Sequence, residues 1–143
     1  MPPAVAHAFR PTCRCRDLAI SGVTMGGMSS SIVVALLLLM NASRADAHVP
    51  AFAEDPALTA RAQLRAERMC ANGQFSHDGY QSAFNGLRYG WTGENLAMGN
   101  QEPRQVHGQL MNSPGHRANI LKREFRAVGI GHACNITVEL FGG

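Results

Sequence analysis

Between Leu18 and Ser43 the chain carries no charged side chain, and inside this stretch Ile32-Val33-Val34-Ala35-Leu36-Leu37-Leu38-Leu39-Met40 is an unbroken apolar block. It falls well short of the roughly 20 residues that a bilayer-crossing helix needs. It does suit the apolar segment of an export signal, and Ala45-Asp46-Ala47 adds an Ala-x-Ala cleavage pattern. Residues 1–30 are rich in Pro, Arg, Cys, Gly and Ser and show no apolar period. They read as a leader, or as an extension upstream of a true start at Met25 or Met28.

The rest of the chain is large enough for one domain, assigned to residues 31–143. Asp55-Pro56 opens a helix, with Asp as cap and Pro preorganised for the first turn. Leu58, Ala62, Ala66, Met69 and Cys70 recur at helical spacing, Arg61, Arg65 and Arg68 point away from that face, and Asn72-Gly73 stops the helix. Residues 74–93 are loop-like, pinned to the core by Tyr80, Phe84, Tyr89 and Trp91. A helix is expected from about Pro103 to Asn112 with Val106 and Leu110 inward, and Ser113-Pro114 restarts a helical turn. Two runs rich in β-formers, 127–133 and 136–141, flank Cys134-Asn135 as a tight hairpin. Helices followed by a hairpin make an α+β chain.

Charge narrows the partners. The formal net charge is +3, and most of it comes from Arg10, Arg14, Arg16 and Arg44, so the domain itself is near neutral. No basic stripe with interleaved aromatics is present, which argues against a nucleic-acid partner. Of the four cysteines, Cys13 and Cys15 lie in the N-terminal stretch, and no Cys-x-x-Cys spacing occurs. Cys70 and Cys134 each stand beside the end of an element. They fit a single disulfide, the alternative being two reduced buried thiols.

No zinc-protease, phosphate-loop, dinucleotide or nucleophile-elbow signature is present. What remains is three polar residues in apolar or glycine-rich settings: His77 in Phe75-Ser76-His77-Asp78, Glu94 between Gly93 and Asn95, and His116 in the Ser113–Lys122 helix. Two imidazoles and a carboxylate are a donor set for zinc or another divalent cation, and equally an acid–base set. A buried Glu or His can also simply tie down a loop. His107 reads as exposed on its helix, and His132 as an ordinary strand residue.

Taken together, Phe75-Ser76-His77, Gly93-Glu94-Asn95-Leu96-Ala97, Asn112-Ser113-Pro114-Gly115-His116-Arg117-Ala118-Asn119-Ile120-Leu121, and Phe125 with Val128-Gly129-Ile130-Gly131 follow one another in a family order. The chain resembles the bacterial type of the CAP superfamily, the SCP-like or cysteine-rich secretory domains. The resemblance covers about residues 31–143. It implies a three-layer α-β-α sandwich around a small antiparallel sheet. It also turns the apolar block into the first core helix, about 32–47, because family members begin with a helix ending in Asn-x-x-Arg and Asn41-Ala42-Ser43-Arg44 supplies it.

By the same resemblance, His77, Glu94, His116, Asn95 and Ser113 are expected to line a ligand-binding cleft. His77, His116 and Glu94 are the candidate metal ligands and the residues that would carry any catalysis. The family's fourth position is unmatched, since the strand 136–141 holds no His, and Glu139 stands where Gln is usual. The expected function is an extracytoplasmic, secreted or envelope-associated binding module for a small molecule, lipid or divalent metal. A metal-assisted hydrolase using the same cleft is the alternative. The N-terminal apolar run is a candidate for envelope association.

Overall fold

A computed structural model describes residues 27–99 and 102–143, with only the backbone described for 27–30. Residues 1–26 of the expected leader, with Cys13, Cys15 and Met25, lie outside the described residues, and 27–30 form the start of the first helix. Four helices and four strands follow in order: α1 (Gly27–Asp46), β1 (Ala53–Glu54), α2 (Pro56–Asn72), β2 (Thr92–Met98), α3 (Pro103–Met111), α4 (Pro114–Leu121), β3 (Ala127–Ala133) and β4 (Ile136–Gly142), with a 3₁₀ turn at Tyr80–Phe84. The sheet order is β1-β3-β4-β2. The three long strands are antiparallel, and β1 adds a two-residue parallel strand at the β3 edge. α2 covers one face, and α1, α3 and α4 cover the other, giving the three-layer sandwich.

The α2 layer follows from local rules. Asp55 accepts hydrogen bonds from the amides of Ala57 (2.7 Å) and Leu58 (3.0 Å), Pro56 occupies the first turn, and Gly73 closes the helix at φ 63°. Leu58, Ala62, Ala66 and Met69 pack on Leu96, Val138 and Leu140. The contact is close because β3 presents Gly129 and Gly131. A Cβ at either would overlap the α2 backbone at Leu58–Thr59 or Ala62–Gln63.

The opposite layer rests on α1, which runs from Gly27 where the sequence pattern expects a helix over about 32–47. Ile32, Val33, Leu36 and Met40 join Phe52, Val106, Leu110, Ile120, Phe125 and Phe141 in the core. Among the described residues no helix is long and apolar enough to cross a membrane.

Arg44 is fully buried. It donates to the carbonyls of Pro50 (2.6 Å), Ile120 (2.8 Å), Lys122 (3.0 Å) and Phe125 (2.8 Å), and its guanidinium lies 3.7 Å from the Phe52 ring centroid. Asn41 exchanges a donor and an acceptor bond with the Phe52 backbone. The Asn-x-x-Arg sequence therefore fastens the segment after α1 and the segment after α4 to one corner.

A disulfide joins Cys70 on α2 to Cys134 in the β3–β4 turn, with Cα atoms 6.0 Å apart. Cys134 takes the left-handed conformation at φ 55°, as the first residue of the two-residue β3–β4 hairpin turn.

His107 differs from expectation, and His132 lies on β3 as the sequence reading has it. His107 is buried rather than exposed, and its Nε2 lies 2.8 Å from Ser43 Oγ. His132 is also buried, with Nδ1 2.9 Å from Thr137 Oγ1. Burial pulls both imidazoles below the usual histidine range.

Candidate functional site

The segment Gly93-Glu94-Asn95 lies in β2, an outer strand of the sheet, where side chains alternate between faces. Gly93 faces the α1 side, where a Cβ would strike the Phe125 ring. Glu94 faces α2. Asn95 turns back towards α4. Three consecutive residues thus serve three different contacts.

Glu94 has a fully buried side chain. Its Oε2 is 2.5 Å from Arg65 Nε, and its Oε1 is 3.0 Å from both Arg65 Nη2 and His77 Nδ1. Burial pushes its carboxyl up, while Arg65 and then His77 pull it down. The net direction is upward. His77 is half exposed, so it forms the solvent side of this group.

Asn95 is fully buried and points to the face opposite Glu94, towards α4. Its Nδ2 donates to the His116 carbonyl (3.1 Å) and to Glu139 Oε2 (3.1 Å), and its Oδ1 accepts from Asn119 Nδ2 (2.9 Å). Asn95 is a positioning residue that fixes α4 against the β2 edge. His116, on α4, is partly exposed. Burial first, and then the charge of His77, lower its pKa. Ser113 precedes α4 in extended conformation, and its hydroxyl makes no capping bond.

Pattern reading gives Arg65 no role here, and marks Glu139 only as a departure from the family's Gln. Arg65 was set aside with the other α2 arginines, yet it holds Glu94 bidentately. The available signal was the Arg61–Arg65–Arg68 stripe beside the buried face. Glu139 is fully buried on β4, with Oε1 unpartnered among the described residues. Burial pushes its carboxyl up to about 7.

The Cysteine-rich secretory protein (CAP) family matches residues 37–137. This chain belongs to that family. The CAP domain is 34% identical to YkwD of Bacillus subtilis (strain 168) over 101 residues, 66% of this chain and 39% of that protein, so the chain spans about two fifths of its curated relative. Its fold is similar to that of an extracellular SCP-domain protein from Bacillus anthracis, with TM-score 0.79 and 22% identity over 86% of this chain and 45% of that one. It is also similar to an outer surface protein of Borrelia burgdorferi, with TM-score 0.71 and 21% identity over 78% of this chain and 92% of that one.

The zinc site expected from His77, His116 and Glu94 does not fit this CAP domain as it is built. Among the described residues no three His, Cys, Asp or Glu side chains are grouped to share an ion. Both oxygens of Glu94 are already engaged, and the nearest of their partners is a fixed positive charge, which repels a cation.

Proposed function

We propose that this chain is an extracytoplasmic, non-catalytic binding module that presents a small-ligand cleft at the β2 edge, between His77 and His116. One observation carries the non-catalytic reading: the Glu94 side chain is fully buried, and Arg65 and His77 take three of its roughly four lone-pair positions. A general base needs an oxygen facing its substrate, and a metal ligand needs a lone pair that the ion can reach. Glu94 instead anchors the cleft wall, joining α2, β2 and the His77 segment.

Nucleophile chemistry finds no better support. Ser76 Oγ accepts from the Asp78 amide (3.0 Å) and does not pair with a His or a carboxylate. The Ser43–His107 contact joins α1 to α3 away from this cleft, and His107 Nδ1 has no partner among the described residues to orient the ring. The location is supported by the Cys70–Cys134 disulfide, a linkage of oxidising compartments. The extracellular and outer-surface descriptions of the similar structures agree with it.

Zinc calorimetry at neutral pH tests this reading against the metal-assisted hydrolase. The expected result is no stoichiometric uptake by the wild type, with uptake appearing in Arg65→Met as Glu94 is released. One equivalent bound by the wild type, and lost in His77→Ala and His116→Ala, would overturn it.

A further inference from the structure

The α2 arginines form a stripe in which each has a different fate. Arg61 Nη1 donates to the carbonyls of Ala83 (2.5 Å) and Asn85 (2.8 Å). Arg65 donates to Glu94 and reaches the Ser76 carbonyl (3.4 Å). Both hold the segment after α2 against the helix. Arg68, one turn further on, is exposed and makes no hydrogen bond among the described residues. It lines a concavity of about 510 Å³ between the last turns of α2 and residues 74–82, within the size range of small-molecule sites.

The wall chemistry is specific. Asn72, Gln74 and Asp78 also line this space, and their side chains, like that of Arg68, are uncommitted. These are flat groups that present two polar atoms side by side, a match for adjacent hydroxyls. Phe75 lies among them with 41% of its surface exposed. It offers an apolar ring face in an otherwise polar hollow. The formal charges on the wall sum to zero: Arg65 is neutralised by Glu94 behind it, and Arg68 and Asp78 carry one charge of each sign. A strongly charged ligand would gain nothing from such a wall, whereas a ring bearing hydroxyls on its rim and C–H groups on its faces meets both surfaces.

We propose that this concavity binds a short, uncharged saccharide, with Phe75 stacking on a sugar ring and Arg68, Asn72, Gln74 and Asp78 holding its hydroxyls. The proposal deepens the binding-module reading and rests on it. It places the recognised ligand beside the histidine cleft, with Arg65 forming the partition.

The test is an amide NMR titration of the 143-residue chain with cellotriose and chitotriose as neutral probes and tri-galacturonate as the acidic one. A neutral trisaccharide should give saturable shifts confined to residues 68–82. Phe75→Ala and Arg68→Ala should each weaken binding about tenfold, and His77→Ala should leave it unchanged. Phe75 and Arg68 are exposed, so neither variant threatens the fold. The proposal fails if neither neutral probe shifts these amides at about 10 mM, weaker than any useful affinity. It fails equally if only tri-galacturonate binds, or if Phe75→Ala binds as the wild type does. A chain that takes up neither zinc nor neutral saccharide loses this proposal and keeps the non-catalytic cleft. One that binds both keeps the saccharide site and loses the other reading.

Discussion

Arg44 on α1 and Glu139 on β4 are both fully buried ionisable residues on the same side of the sheet, and their surroundings are opposite. Arg44 donates to four carbonyls and stacks on Phe52. Burial draws its guanidinium down only to about 10, so it stays charged at neutral pH. Glu139 has one hydrogen bond, from Asn95, and one oxygen without a partner among the described residues. Its carboxyl rises to about 7. Burial alone therefore does not distinguish a structural charge from a titrating one. What distinguishes them is how many of the group's hydrogen-bonding positions are filled.

The largest test of the comparison is to remove the Arg44 corner. A chain beginning at His48 lacks α1 together with the apolar face that closes the lower layer, and it should show no cooperative thermal transition. Arg44→Met keeps the helix but deprives four carbonyls of their donor, those of Ile120 and Phe125 in buried bonds, and should cost about 3 kcal/mol in urea unfolding. A His48 chain that melts like the longer one would make the apolar block a dispensable export segment and Arg44 an ornament.

That block shows how far sequence can be read. Asp55-Pro56, Ser113-Pro114, the Cys134 hairpin and the Cys70–Cys134 disulfide are local or end-to-end signals, and the structure contains each of them. β2 is different. Thr92-Gly93-Glu94-Asn95-Leu96-Ala97-Met98 holds few β-formers and becomes a strand because β4 offers a ladder to pair with, a tertiary effect that overrides propensity. Spacing alone does not reveal that strand, so it does not reveal the alternation that turns Glu94 and Asn95 to opposite faces. Arg65 was missed for a related reason. A long side chain can reach from a helix to a distant strand, and spacing along the chain does not record the contact. His107 was misplaced because α1, against which it packs, is remote in sequence.

A middle-sized effect tests Glu139. The unfolded chain keeps the ordinary carboxyl value of 4.5, whereas the folded one holds its proton up to about 7. The folded state therefore binds more protons between those values. Stability from this group is fully present below 4.5, falls across the window and is lost above 7. The gap corresponds to about 3 kcal/mol. Glu139→Gln removes the titration while keeping the Asn95 contact, so it should stabilise the protein at pH 8 by up to that amount and change little at pH 4. Urea unfolding of both proteins across this range measures it. Parallel stability curves would mean that Glu139 is satisfied as fully as Arg44.

The smallest effect lies at the cleft, where neither pattern holds: His77 and His116 are partly open to solvent, and water shares in their solvation. His116 is lowered by burial first and by the His77 charge second. His77→Ala removes only the second cause. The His116 midpoint should therefore rise part of the way towards the ordinary 6.5 and stop short of it, because burial persists. Its stability contribution runs opposite to that of Glu139: it is present above the unfolded value of 6.5 and lost as pH falls through the lowered folded value. Imidazole C–H shifts followed by NMR in wild type and His77→Ala separate the two causes. A midpoint that does not move would place the imidazoles too far apart to sense one another across the β2 edge, and the shared cleft would then be two separate surface histidines.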